Sequence, residues 1–411
     1  MSGIKNIFSR IGPWVRLAII AVICLLSWRV SAQTYAVGHT SITFKDPNRS
    51  NRSIPCEIYY PASSAGDNTP VSTDRKFPSI AFGHGFLMTW DAYKNVWNAL
   101  VPQGFVVIFP KTEGSASPSH SEFGSDLVFA LSALETEGKS VSSMFYGRID
   151  TLNCVMGHSM GGGAAFLAAS QSSNIDFIAT LAPAETNPKA TTAATSLTIP
   201  SIIIAGGNDC VTPPKDHQIP MFDSLKSNCK HLVTVTGGSH CQMAEDNFLC
   251  NFGEATCSPK ASISRSEQHQ IQFRFLIPWL KYYLLNDAAA GRVFDSLVSK
   301  STGVQTRKNC LLNPGNGSNG TDGFRNLTTV EISPNPAVDF IRIASKNPKS
   351  IAGCDLLSLD GKLLQHWEFL DSGENENGLQ LELKDGVMPG IYLLRLQCEG
   401  NFVFQRMQIV D

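Results

Sequence analysis

Apolar residues along this chain gather in short blocks that end in turn residues. "FPSIAFGHG", "GFVVIFP", "TLNCVMG" and "IPSIIIAGG" are continuous apolar runs of this kind, the pattern of strands buried on both faces. "HLVTVTGG" follows, and "SIPCEIYYP", Ser53 to Pro61, alternates like a half-buried strand. Helical stretches separate them at Ala92 to Leu100, Phe123 to Leu134, Gly162 to Ala169, Asp216 to Leu225 and Gln268 to Leu285. Strand and helix in alternation from about Ser41 predict an α/β domain, with a mostly parallel sheet and helices on both faces.

The pattern changes twice more. "NPGNGSNGTDG", Asn313 to Gly323, is a Gly/Asn/Ser tract without apolar period and reads as linker. Beyond about Val330, short alternating runs ("FIRIAS", "CDLLSLDGKLL", "IYLLRLQ", "FVFQRMQIV") are separated by turn signals at Asp360-Gly361, Pro389-Gly390 and Glu399-Gly400. They predict a small all-β module with no clustering of His, Asp and Ser. At the other end, Lys5, Arg10 and Arg16 precede "LAIIAVICLLSW", and "VSA" closes at Ala32. A basic region, a short apolar core and a small-residue cleavage site make a secretory signal peptide. About twelve apolar residues fall short of the roughly twenty needed to span a bilayer. The expected organisation is signal peptide 1–32, α/β domain 33–300, linker 301–329 and β-sandwich-like module 330–411.

Charge adds little. With 33 basic and 35 acidic side chains the formal net charge is -2, which leaves no footprint for nucleic acid. Export changes the meaning of the 11 cysteines, of which Cys24 lies in the signal. Cys210, Cys229, Cys241, Cys250 and Cys257 crowd one segment and suggest disulfides of undetermined pairing. No paired C-x-x-C spacing points to zinc. Cys154, in an apolar run, reads as a buried free thiol.

The chemistry centres on "CVMGHSMGGGAAFLAA". Ser159 stands between Gly157 and Gly161, where an apolar strand runs into a small-residue helix. A sharp strand-to-helix turn exposes a serine Oγ, and its close backbone approaches demand very small neighbours. The hydroxyl needs a base and an acid. Asp209 follows the strand of "IPSIIIAGGNDCVTPP" and His240 follows "LVTVTGG", where strand ends of an α/β sheet collect functional groups. Asp216, Asp223 and Asp246 lie on predicted helices or later in loops and fit less well. Two backbone N–H groups must face the developing oxyanion. Met160 supplies one, and Phe86 in "AFGHGF" the other. His84 reads as loop packing, and His158 as structural or cleft-lining.

"GHGF", "YGRID", "GHSMGGG", "AP", "GGNDCVTPP" and "GGSH", in this order, resemble the α/β-hydrolase family of bacterial cutinases and polyester hydrolases. Chlorophyllases, dienelactone hydrolases and platelet-activating-factor acetylhydrolases are also similar. The resemblance spans roughly Ser41 to Leu285. It implies a catalytic triad of Ser159, Asp209 and His240, an oxyanion hole at Phe86 and Met160, an acyl-enzyme, and neither cofactor nor metal. Substrate contacts carried over are Phe86, Met160, Ala184 and Trp90. Polyester hydrolases carry a tryptophan where "LAPAET" has Ala184, so a stacking surface for an aromatic acyl group is gone. Trp90 and Phe123 are the candidate replacements. Several such enzymes bridge the acid and histidine loops, which here would join Cys210 to Cys241. Pairings of Cys210 with Cys229 and Cys250 with Cys257 compete.

The tail has its own resemblance. "ISPNPAVDFIRI", "LLSLDGKLL" and "DGVMPGIYLLRL" resemble the C-terminal sorting domain of the type IX secretion system of Bacteroidetes; the competing reading is a carbohydrate- or polymer-binding sandwich. The sequence thus predicts a secreted or cell-surface monomeric serine esterase. Its partners are a small or polymeric ester, poly(ethylene terephthalate) included, and the type IX machinery, without nucleic acid or a stable membrane span. A phospholipid acetylhydrolase or lipase is the alternative enzyme, and a non-catalytic surface-binding protein the alternative of another class. A serine peptidase lacks residues for the cap or propeller domain such enzymes carry.

Overall fold

The structure, a computed structural model, describes residues 34–312 together with 330–333, 337–345, 351–357, 363–368, 379–383, 387–388, 390–398 and 401–410. The predicted signal peptide, the Asn313 to Gly323 tract and most turn residues of the tail lie outside the described residues. The chain divides into two compact units, Met1–Pro314 and Gly315–Asp411.

The first unit is built on a ten-stranded sheet. Its strands are β1 (Ala36–Asp46), β2 (Arg52–Ala62), β3 (Gly66–Asp67), β4 (Phe77–Gly83), β5 (Val106–Pro110), β6 (Ile149–His158), β7 (Phe177–Leu181), β8 (Ser201–Gly206), β9 (Lys230–Val235) and β10 (Val304–Lys308). They lie in the order β10-β9-β8-β7-β6-β4-β5-β2-β1-β3. From β5 through β4 and β6 to β9 every pairing is parallel. β2 joins β5, and β10 joins β9, antiparallel.

Parallel strands need crossovers, and α1 (Lys94–Leu100), α2 (His120–Lys139), α3 (Met160–Gln171), α4 (Ala190–Ala194) and α5 (Gln218–Ser224) lie in them. Three more helices, α6 (Phe248–Ala255), α7 (Arg265–Leu285) and α8 (Ala288–Lys300), lie between β9 and the antiparallel β10. Two apolar cores result. One joins the sheet to Phe123 and Leu127 of α2, Phe166 of α3 and Met221 of α5. The other joins it to Val96 of α1, Phe275 and Trp279 of α7 and Phe294 of α8. β4, β5, β7 and β8 are buried along their whole length and β6 over its last six residues, which is why β4, β5 and β8 read as unbroken apolar runs.

Four strands escape the sequence pattern. β1, β3 and β7 lie in stretches too mixed or too short to stand out, and β10 falls where linker is expected. Val304 to Lys308 pair with Val235 to His231, and Leu312 is buried. The first unit therefore runs past residue 300, and an expected linker start at 301 is too early. β10 reads as polar because it is an edge strand, mostly exposed.

The second unit holds a three-stranded sheet (Val330–Ser333, Phe340–Ser345, Leu379–Glu382) and a four-stranded one (Leu363–Glu368, Ile351–Leu357, Gly390–Cys398, Asn401–Ile409). All neighbours are antiparallel. Ile341, Ile343 and Leu381 of one sheet meet Cys354, Leu356, Leu394, Leu396 and Met407 of the other in a common core. Among the described residues, no helix is long and apolar enough to cross a membrane.

Candidate active site

β6 ends at His158 and α3 begins at Met160, so Ser159 is the entire turn. Its backbone sits at φ 54 and ψ -122, outside the regions that non-glycine residues favour. Three bonds hold it there. The Ser159 N–H donates to Leu181 O at 3.1 Å, and its carbonyl accepts from Gly163 N at 3.0 Å and Ala184 N at 2.9 Å. The glycines serve backbone proximity: a Cβ on Gly161 would overlap the carbonyl of Gly83, and one on Gly157 the backbone of Gly161.

Asp209 follows β8 and is buried with His240, which follows β9. Oδ1 of Asp209 accepts the backbone N–H groups of Val211 (2.9 Å) and Thr212 (2.7 Å). Oδ2 accepts the Thr212 hydroxyl at 2.8 Å and lies 2.8 Å from His240 Nδ1. With Oδ2 as an acceptor, Nδ1 carries the hydrogen and Nε2 of the neutral ring is left as a base. Gln218, fully buried, donates to Thr212 Oγ1 at 3.2 Å and to Pro183 O at 2.7 Å. His240 follows β9 at the same end of the parallel strands as Ser159 follows β6. The ring of His158, the residue before Ser159, lies 4.7 Å from that of His240.

The predicted oxyanion donors occupy loop ends. Met160 opens α3, and an N–H in a first helical turn has no acceptor within its helix. Phe86 stands in the loop after β4 with its side chain 47% exposed. That loop is braced by Gly85 N–H donating to the Tyr93 hydroxyl at 2.7 Å.

Other expected contacts resolve differently. Phe123 is fully buried against His84, 4.7 Å between rings, so a core position excludes it as a stacking surface. Trp90 donates from Nε1 to Tyr59 Oη at 3.3 Å and lies under Lys111 Nζ. Both contacts lie on one side of the sheet order, Tyr59 in β2 and Lys111 just after the neighbouring β5. Ala184 contributes its backbone to the serine turn. His84 lies within 2.9 Å of the carbonyls of Gly85 and Thr112 through its two nitrogens. Cys154 is a buried thiol outside the disulfides.

The disulfides differ from every pairing that the sequence suggests. Cys210 bonds to Cys257, Cys241 to Cys250 and Cys229 to Cys310. Instead of linking the acid and histidine loops to each other, the first two tie each loop separately to the segment around α6. Glu254 of that helix accepts the N–H groups of His240 (2.7 Å) and Cys241 (3.1 Å). Cys310 belongs to the tail of β10, which the polar composition of that edge disguises as linker. Cys229, His231 and Cys310 have donor atoms within 4.8 Å of one another, but with both sulfurs in a disulfide the group has no thiolate to give a metal. Thr212 and Glu254 carry no sequence signal, because their roles arise from contacts between loops.

A parallel sheet of this order, with the serine turn after β6, defines the α/β-hydrolase class. Residues 55–294 match the family described as PET hydrolase-like, and the chain belongs to it. Residues 331–410 match the secretion system C-terminal sorting domain. Among curated relatives, cutinase est1 of Thermobifida alba is 30% identical over 185 residues, 44% of this chain and 56% of that protein. A cutinase of Thermobifida fusca (strain YX) is 29% identical over 185 residues, with the same coverage. Bis(hydroxyethyl) terephthalate hydrolase of Streptomyces coelicolor is 29% identical over 172 residues, 42% of this chain and 50% of that protein. The chain thus spans about half the length of the curated relatives it matches.

Proposed function

We propose that this protein is a secreted serine hydrolase that cleaves carboxylic esters, polyesters among them, through an acyl-enzyme. The observation that carries the reading is the buried Asp209–His240 pair, at 2.8 Å, on the strand ends beside the strained turn at Ser159. Ser159 Oγ attacks the ester carbonyl carbon while His240 Nε2 takes its proton. Asp209 holds the imidazole in the required tautomer and stabilises the imidazolium. The amides of Phe86 and Met160 receive the oxyanion. Collapse expels the alcohol, which takes the proton back from Nε2; water then repeats the cycle on the acyl-serine.

The names of the relatives, cutinase and bis(hydroxyethyl) terephthalate hydrolase, support a polyester or its fragments as substrate class. So does α6, whose Phe248 and Phe252 are 79% and 65% exposed while disulfides at Cys250, within it, and Cys257, just beyond it, tie it to the histidine and acid loops. An apolar rim of this kind suits a water-insoluble ester. The sorting domain supports delivery to the cell surface or beyond by the type IX machinery. The test is a rate series on p-nitrophenyl esters from acetyl to palmitoyl beside a polyester film, with Ser159→Ala as control. Hydrolysis by the wild type alone is expected; an active Ser159→Ala overturns the mechanism.

A further inference from the structure

His158 has no part in the proposed reaction, yet both its ring nitrogens are engaged. Nε2 lies 3.2 Å from the carbonyl oxygen of His240. A carbonyl only accepts, so Nε2 carries the hydrogen. Nδ1 lies 3.0 Å from the Tyr93 hydroxyl and, in a neutral ring, accepts from it. The Tyr93 oxygen in turn accepts the N–H of Gly85 at 2.7 Å. Met88 Sδ, 3.3 Å from the same hydroxyl, is a weaker acceptor packed against it. Each proton therefore has one place: on Gly85 toward Tyr93, on Tyr93 toward His158, and on His158 toward His240.

The ring is kept neutral by its surroundings. Burial pushes the His158 imidazole well below its ordinary range, and the neighbouring His240 pushes the same way against the bond to the His240 carbonyl. Burial likewise raises Tyr93 far above the ordinary phenol range, against its bond to Gly85. Both shifts favour the neutral forms, in agreement with the direction that the acceptor-only carbonyl of His240 gives the chain.

The hydrogen-bonded chain touches three loops. Gly85 precedes Phe86, the proposed oxyanion donor. His158 precedes Ser159, the proposed nucleophile. The far end is the backbone of His240, the proposed base. We infer that His158 is a positioning residue of the ester-hydrolase site, coupling the oxyanion loop, the nucleophile turn and the base loop through one hydrogen-bonded chain with Tyr93. The inference rests on the proposed function. Small displacements among these three loops are costly because the reacting atoms must meet at near-attack distance.

Tyr93→Phe leaves Gly85 N–H and His158 Nδ1 both without this partner, at little change of volume. On a soluble p-nitrophenyl ester, kcat per phosphonate-titrated active site is expected to fall about tenfold or more, with KM within about threefold. His158→Leu should fall at least as far, and the double variant no further than His158→Leu alone, since both break one chain. His158→Gln, whose carboxamide offers one acceptor and one donor, should recover part of the loss. Ring nitrogen NMR of the wild type should show His158 as the neutral Nε2–H tautomer, and Tyr93→Phe should shift its Nδ1 signal. Full titrated turnover in Tyr93→Phe, additive losses, or an Nδ1–H or cationic His158 overturns the inference and leaves the esterase reading standing. A wild type inactive on every ester overturns the esterase reading, and the role of His158 with it.

Discussion

Asp209 Oδ2 and His240 Nδ1 lie 2.8 Å apart although 31 residues separate them in the chain. The contact exists because β8 and β9 are adjacent and parallel, so the loops leaving their ends emerge side by side. Both side chains are buried, and Thr212 and two backbone N–H groups fill the remaining acceptor positions of the carboxylate.

Asp209→Asn replaces an acceptor with a group that also donates, so the imidazole is free to take the wrong tautomer. Turnover of a soluble ester is expected to drop by about four orders of magnitude, as such a change does in a serine triad. The thermal midpoint should move little. Stopped-flow measurement of the acylation burst separates this loss from one in substrate binding.

The disulfides divide into two kinds. Cys229 lies just before β9, at the strand end opposite His240, and bonds to Cys310 across 81 residues. The paired Cys229→Ser and Cys310→Ser variant should lose about 2–5 kcal/mol of stability while kcat at room temperature stays near wild type. Removing Cys241–Cys250 should instead lower kcat, because Cys241 adjoins His240. Denaturation and kinetics on both variants make the comparison.

Acid should weaken the fold through His231. Burial, with a smaller contribution from Lys308, pulls its imidazole down to about 3 against its bond to Cys310. Above the unfolded value of about 6.5 both states are neutral and the residue contributes no pH dependence. Below that value the unfolded chain binds a proton that the folded protein refuses, so stability falls with pH until about 3. His158 acts in the same direction. Urea midpoints at about pH 7.5 and about pH 5 should differ less in His231→Leu than in the wild type.

The exposed aromatics of α6 distinguish substrates. Phe248 and Phe252 are solvent-facing and stack on each other, ring centroids 6.3 Å apart. Replacing both with serine should reduce release of product from a polyester film several-fold and leave p-nitrophenyl acetate hydrolysis within about twofold. Equal losses on both substrates would count against an apolar rim for insoluble esters.

Gly161→Ala tests the turn itself. Its new Cβ would meet the backbone carbonyl of Gly83, which belongs to β4 and has no flexible end to move aside. Soluble protein with little activity, or a fall in yield, is expected; thermal melting and active-site titration by a phosphonate distinguish them.

Much of this site is legible in the order of residues alone. Ser159, Asp209 and His240 each follow an apolar run, Ser159 in a glycine-flanked turn and the other two in loops, and that signal is local. Parallel strands in a covered sheet are apolar throughout, so β4, β5, β6 and β8 stand out. The same rule hides β10: an edge strand exposes its side chains, and "VQTRK" looks like linker.

What the sequence determined alone was the alternation of strands and helices, and hence the loops that carry the three residues. Tertiary structure decided the rest. It chose Cys257, Cys250 and Cys310 as disulfide partners, put Glu254 under the backbone of His240, and set the proton on His158 Nε2. Those outcomes depend on which distant segments meet and at what angle. Periodicity encodes which face of a segment is buried; the partner that covers it is settled only when the whole chain packs.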